Sequence, residues 1–336
     1  MVVWLQFIVC AGLVVLVGIA LSRYADVLAE KTGLGRSWVG AVLLAGATSL
    51  PELATGISAV TVVGDVNLAA GGVIGSCLFN LVLIAILDLS SGTTPLLKRA
   101  HISQILAAGL GCVLLTSVMV SLFVTQNLSI PTLGWVGIPS ILILGIYMLC
   151  VRMLSFYEKR RALEVLEQQA EAYQYASISM ARAVSVFGLS AAAMAGLGLW
   201  LAALGEQIAT VTGLGASFVG AIFLAMATSL PEMVASLAAM RMGAVDLAIS
   251  NIFGSNIFNI AALAIYDIVY LKGNLWAEMA PIHGFTAVAS ALMTALAIVG
   301  LVYQATKKPR WFVSWAGLML ILLYVGSMYV VYITTL

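Results

Sequence analysis

Ten runs of about 20 mostly apolar residues follow one another along a chain of 336 residues. They lie near 3–22, 37–61, 67–88, 101–124, 132–154, 183–204, 217–240, 246–270, 281–303 and 311–333. A helix of that length crosses the hydrocarbon core of a bilayer. Hydrophobic residues make up 62% of the chain and charged residues only 9%, too few charges to cover a soluble surface. Lipid offers the backbone no hydrogen bonds, so a spanning chain forms helices or a closed barrel. Barrel strands alternate in short segments, whereas these runs are continuous. The expected fold class is an all-α membrane protein of ten transmembrane helices, with the lipid bilayer as its first partner. A formal net charge of +1 gives no reason to expect nucleic acid. The four cysteines sit in apolar runs without paired spacing and read as small buried hydrophobes. No basic residue precedes the first run, so it is expected to be a retained span and not a cleaved leader.

One polar stretch, residues 155–182, interrupts the series. It is rich in Glu, Gln, Arg and Ala, hence partly helical and solvated, and too short for a second folded domain. It separates a first five-helix repeat, 1–154, from a second, 183–336. Fourteen of the fifteen Lys and Arg residues fall in the loops after runs 1, 3, 5, 7 and 9, and only Lys272 lies opposite. This asymmetry places the odd-numbered loops and the central linker in the cytoplasm and both termini outside.

The two halves are related. VGAVLLAGATSLPEL at 39–53 and VGAIFLAMATSLPEM at 219–233 share eleven of fifteen positions. TGLG at 32–35 recurs at 212–215, and GSCLFN at 75–80 returns as GSNIFN at 254–259. Five spans per half is an odd number, so the second copy enters the membrane in the opposite sense. Inverted repeats of this kind mark secondary transporters, with the binding site at the repeat interface.

The matched residues are polar ones. Of the fourteen acidic residues, only Glu52 and Glu232 lie deep in a run. A carboxylate at mid-membrane costs at least ~2.5–3.5 kcal/mol, and a proton or a bound cation relieves that cost. Pro51 and Pro231 have no N–H to give the carbonyls of Ala47 and Ala227, so helices 2 and 7 should kink or break there. Broken helices at this depth line cavities, and their freed carbonyls bind Na+. Thr48 and Glu52 are four residues apart, as are Ser76 and Asn80, and Ser255 and Asn259. Gly75 and Gly254 allow close helix approach. Carboxylate, hydroxyl, amide and carbonyl oxygens, without a shared His or Cys, suit hard cations: Ca2+, Mg2+ or Na+. Neither HExxH nor GxSxG occurs, so no enzyme is expected.

At these residues the sequence resembles the sodium/calcium exchanger family of the cation/calcium antiporter superfamily, in a prokaryotic form without a regulatory domain. The carriers are ATSLPE at 47–52 and 227–232, GSCLFN at 75–80 and GSNIFN at 254–259. The resemblance implies alternating-access exchange of Na+ for Ca2+ in an inner or plasma membrane, with no cofactor. It implies that Glu52 and Glu232 hold Ca2+ with the backbone oxygens of Thr48 and Thr228. Na+ is then held by Ser49, Ser229, Ser76 and Ser255, the carbonyls of Ala45 and Ala225, and the family's Asn or Asp positions, here Asn80 and Asn259. Asparagine there speaks against potassium transport. The absence of a GNxxE motif favours Na+ over the alternative, a proton-coupled divalent-cation antiporter. Ala47 and Ala227 depart from the family's glycine, and Cys77 stands where the second copy has Asn256. Asp88 and Asp267, a matched pair near the ends of runs 3 and 8, are interfacial carboxylates or, if they face the pathway, proton sites.

Overall fold

The structure, a computed structural model, describes residues 2–128, 130–166, 174–211, 227–305, 308 and 313–335. It is built of helices. Those of the first half are α1 (Val2–Thr32), α2 (Arg36–Val63), α3 (Val66–Ser90), the short α4 (Leu96–Arg99), α5 (Gln104–Asn127) and α6 (Ile138–Leu166). Those of the second half are α7 (Met180–Val211), α8 (Leu230–Arg241), α9 (Val245–Val269), the short α10 (Leu275–Glu278), α11 (Ile282–Tyr303) and α12 (Trp315–Thr335). Among the described residues, nine helices are long and apolar enough to cross a membrane. The start of the run expected at 217–240 lies outside them, and α8 is its described part. Side chains such as Leu5, Ile8, Leu16, Leu189 and Val325 point outward and stay exposed, as lipid-facing groups do.

The repeat extends into details that no motif announces. The four-residue helices α4 and α10 start at positions separated by the same 179 residues as the GSxxFN blocks. The turns into α3 and α9 each carry a glycine in the left-handed region, Gly64 with φ 78° and Gly243 with φ 82°. A side chain with Cβ is strained at such a φ, which is why glycine stands at both corners.

Packing is reciprocal between the halves. α3 lies against α9, α5 against α11 and α1 against α7. α12 of the second half packs on α3, and α6 of the first half packs on α9. Gly254 of α9 meets the backbone of Ala41 in α2, so the two helices touch without a side chain between them. Its repeat mate Gly75 has open space where a Cβ would go. Of this matched pair, Gly254 alone serves close approach.

Three boundaries differ from the sequence expectation. α1 runs to Thr32, ten residues beyond 22, because Ala25, Val27 and Leu28 are buried. Val27 and Leu28 pack with Ala183 of α7, and Asp26 holds Arg36 at 2.5 and 3.1 Å. The run expected from 132 begins as a two-stranded hairpin, β1 (Thr132–Leu133) and β2 (Val136–Gly137), turning at Gly134 with φ 67°. The helix starts only at Ile138. The polar linker carries α6 on to Leu166, and beyond it the amides of Gln174 and Tyr175 donate to the Glu30 carboxylate at 3.0 and 2.8 Å.

The glycine contrast predicts a stability difference. Gly254→Ala should lower stability by about 1–3 kcal/mol through overpacking against Ala41, whereas Gly75→Ala should not. Thermal unfolding of the two variants in detergent measures it, and equal melting shifts would refute the assignment.

Candidate functional site

α2 is helical throughout except at Ser49, whose φ of −92° and ψ of 6° leave the helical basin. Ser229 takes φ −88° and ψ 7° at the matching place. A new helical segment begins at Leu50 and at Leu230, with the proline second in each. In a first turn the missing N–H of proline costs little, because that donor would be unpaired in any case. The serine therefore absorbs the bend and the proline marks the restart. Backbone bonding continues across the bend, from Ser49 N to Ala45 O at 3.0 Å and from Leu53 N to Ser49 O at 3.1 Å. Glu52 and Glu232 fall in the first turn of the restarted segments, where the positive end of the helix dipole favours a carboxylate.

Both carboxylates are buried, Glu52 at 4% and Glu232 at 1% exposure. The Ser49 hydroxyl donates to Glu232 Oε1 at 2.8 Å, which ties the bend of one half to the carboxylate of the other. Ser49 precedes Glu52 by three residues, about one helical turn, so its bond to Glu232 brings the two carboxylates to the same part of the interface between the halves. This is the convergence that an interface between repeats requires.

α3 and α9 supply the remaining groups. Ser76, Asn80, Ser255 and Asn259 are all buried. The repeat mates Cys77 and Asn256 meet each other where these helices pack. Asn256 Nδ2 donates to the Cys77 carbonyl at 3.0 Å, and Asn256 Oδ1 accepts from Asn80 Nδ2 at 3.1 Å. On the other flank the Asn251 amide donates to Ser236 Oγ at 2.9 Å, and Asn251 Oδ1 lies 3.5 Å from the Thr48 hydroxyl. Sequence reading did not single out Asn251 or Ser236, because their counterparts in the first half, Gly72 and Gly56, carry no polar group.

Eleven buried side-chain N or O atoms among the described residues have no hydrogen-bond partner. Nine of them belong to the repeat-matched set: both Glu52 oxygens, Glu232 Oε2, the hydroxyls of Ser76, Ser229 and Ser255, Asn80 Oδ1, and Oδ1 and Nδ2 of Asn259. Buried polar atoms are nearly always paired, and each orphan costs about 1–3 kcal/mol. A concentration of them at one place is the mark of a ligand site. Eight are oxygens and none is His or Cys, the chemistry of a hard cation. Two carboxylates with neutral oxygens around them fit a divalent ion in charge.

Other expected ligands stand differently. The Ala45 carbonyl accepts from Ser49 N at 3.0 Å and from the Thr48 hydroxyl at 3.2 Å, so both of its lone pairs are engaged. Thr48 is buried, Thr228 is half-buried, and Ala225 lies outside the described residues. Asp88 and Asp267 do not join the cluster. They sit at the far ends of α3 and α9, and every carboxylate oxygen of the pair has a donor. Ala47 and Ala227 are buried, and Ala227 packs with Cys10, Leu201 and Leu204.

The sequence profile of the family described as sodium/calcium exchanger protein matches residues 2–156 and 182–333. CaxA of Alkalimonas amylolytica, described as a candidate antiporter, is 26% identical over 96% of this chain and 97% of its own. The inner membrane protein YrbG of Escherichia coli is 28% identical over 70% of each chain. The sodium/calcium exchanger MaX1 of Methanosarcina acetivorans is 31% identical over 37% of this chain and 33% of its own. Two structures of the sodium-calcium exchanger NCX_Mj, soaked in Na+ or in Na+ with Sr2+, superpose with TM-scores of 0.68 and 0.70. Each covers 98% of both chains, at 20% and 18% identity, a likeness of fold.

Asn256→Ala should destabilise by about 1–3 kcal/mol, since it strips partners from the Cys77 carbonyl and the Asn80 amide. Cys77→Ala removes only a weak thiol contact with the Asn256 carbonyl, at 3.9 Å, and should cost less. Melting temperatures in detergent decide the order, and a reversed order would remove Asn256 from its bridging role.

Proposed function

This chain belongs to the sodium/calcium exchanger family, and we propose that it is a secondary antiporter exchanging Na+ for Ca2+ by alternating access. One observation carries the reading: the unpartnered oxygens of two buried carboxylates, linked across the halves through Ser49 and gathered with matched hydroxyls and amides from both halves. Such a set is short of positive charge. Glu52 and Glu232 supply the two negative charges that Ca2+ balances, with the Thr48 and Thr228 segments beside them. Ser49, Ser229, Ser76, Ser255, Asn80 and Asn259 supply the neutral oxygens that Na+ accepts in their place. The site can hold one divalent ion or several monovalent ones, because its charge is fixed while its neutral oxygens outnumber its carboxylates. That property couples the two ions.

In this reading the halves 1–154 and 183–336 enter the membrane in opposite senses, joined by a cytoplasmic linker, with both termini outside. The basic residues support it, since the loops assigned to the cytoplasm hold fourteen of the fifteen. Asp88 and Asp267 have their oxygens engaged by fixed donors, which argues against one route to proton coupling and in support of Na+ as driving ion.

Reconstituted protein should take up Ca2+ against an outward Na+ gradient, and Glu52→Gln or Glu232→Gln should abolish uptake. Uptake driven by a pH gradient and indifferent to Na+ would transfer the coupling to protons. Downhill Ca2+ flux with no counter-ion requirement would replace antiport by a channel.

A further inference from the structure

Four polar side chains outside the ion cluster repeat with the offset of 179 residues: Asn67 with Asp246, and Asp88 with Asp267. They occupy the two ends of α3 and the two ends of α9. Each one bonds an element of the opposite half.

At the start of α3, Asn67 Oδ1 accepts from the Ala280 amide at 2.8 Å and lies 3.1 Å from His283 Nε2. At the start of α9, Asp246 Oδ1 accepts from the His101 amide at 2.7 Å and from Gln104 Nε2 at 3.4 Å. His101 and Ala280 are repeat mates, and so are Gln104 and His283. At the end of α3, Asp88 Oδ1 accepts from the Leu96 amide at 2.7 Å, and Oδ2 from the Ser314 amide at 2.6 Å. At the end of α9, Asp267 Oδ1 accepts from the Leu275 amide at 2.9 Å, and Oδ2 from the Gly137 amide at 2.8 Å. Leu96 and Leu275 are mates, and Ser314 and Gly137 each immediately precede the last helix of a half, α12 and α6. Both aspartates thus present a carboxylate to the N-terminus of the other half's last helix, where the helix dipole welcomes it.

The halves differ in how these contacts are completed. Lys308 reaches Asp88, donating to its carbonyl and lying 3.4 Å from Oδ1. Among the described residues no lysine reaches Asp267, and the Ser140 hydroxyl donates to its Oδ2 at 2.6 Å instead. Asn67 faces a histidine where Asp246 faces a glutamine.

We propose that Asn67, Asp88, Asp246 and Asp267 form four reciprocal latches. They pin both ends of α3 and of α9 to the opposite half, and so set the position of the site groups on those helices. Ser76 and Asn80 lie between the two latches of α3, and Ser255 and Asn259 between those of α9. A helix fixed at both ends cannot slide along its axis, so its hydroxyl and amide oxygens keep their register with Glu52 and Glu232. The four are positioning residues, and the inference rests on the cation-site reading above.

The test uses full-length protein in detergent. Ca2+ affinity is measured by titration calorimetry and backbone opening by hydrogen–deuterium exchange. Asp267→Asn should speed exchange in the peptides holding Gly137 and Leu275, and weaken Ca2+ binding by about ten-fold, as loss of an outer support of a metal site does. The protein should remain monodisperse. The paired change Asp246→Asn with Gln104→His gives the latch at the start of α9 the composition of the latch at the start of α3, and should restore the affinity that Asp246→Asn alone loses. Unchanged exchange in Asp267→Asn would overturn the latch. Faster exchange with unchanged Ca2+ affinity would overturn the positioning role, as would a paired variant no better than the single one. Wild-type protein that binds Ca2+ without exchanging it for Na+ would sink the antiport reading and leave the latch to be judged by these same two measurements.

Discussion

A carboxylate kept from water needs a donor, a proton or a cation, and among the described residues Glu52 has no donor. Glu232 has one, the hydroxyl of Ser49, and a second oxygen without any. The rest of the arrangement is intelligible as the consequence of keeping that pair buried and close. A bend at Ser49 and at Ser229 puts each glutamate at a helix start, where the backbone itself is mildly positive. Gly254 lets α9 approach α2 at the backbone, so that the amides and hydroxyls of α9 reach the same place. None of these features neutralises two charges. That is why the proposed occupant of the site is a cation.

Polar side chains within the helices sort into two classes by whether their acceptors are filled. Asp88, Asp246, Asp267 and Asn67 are matched by backbone amides at 2.6–2.9 Å, donors that no rotamer change can withdraw. Among the described residues Glu52, Ser76, Asn80, Ser255 and Asn259 keep atoms without partners, the serines and asparagines between the two ends of α3 and of α9. In the proposed reading the first class holds geometry and the second is available to an ion. Residue type does not separate them, since asparagine and carboxylate occur in both.

The first class was scarcely legible in the sequence, for a physical reason. Ten spans, the duplication and the glutamates declare themselves through hydropathy and through letter-for-letter repeats. Asn67 and Asp246 differ in type and lie at helix starts, where polar residues are ordinary. Their partners are backbone amides, which leave no mark on composition. Only the shared offset, read against the GSxxFN register, would have paired them. Asp88 and Asp267 were visible as a pair, yet the sequence left open whether they face the pathway. The break expected at each proline falls two residues before it, because proline is accommodated in a first turn and the serine ahead of that turn takes up the change of direction. The hairpin at 132–137 was absorbed into a span because its residues are as apolar as the helix that follows.

Neither half of this chain is a site or a frame by itself. Ser49 serves Glu232, Asn256 serves Cys77 and Asn80, and every latch crosses from one half to the other. Where the halves diverge, they do so in complementary couples: Cys77 against Asn256, Asn67 with His283 against Asp246 with Gln104, Lys308 at Asp88 against Ser140 at Asp267. A change on one side that was not met across the interface would leave a buried polar group alone, at about 1–3 kcal/mol. Divergence after duplication is thereby confined to exchanges that keep each contact paired. Nine of the eleven unpartnered atoms among the described residues lie where the two halves have stayed most alike, in ATSLPE and in the Ser and Asn of GSxxFN.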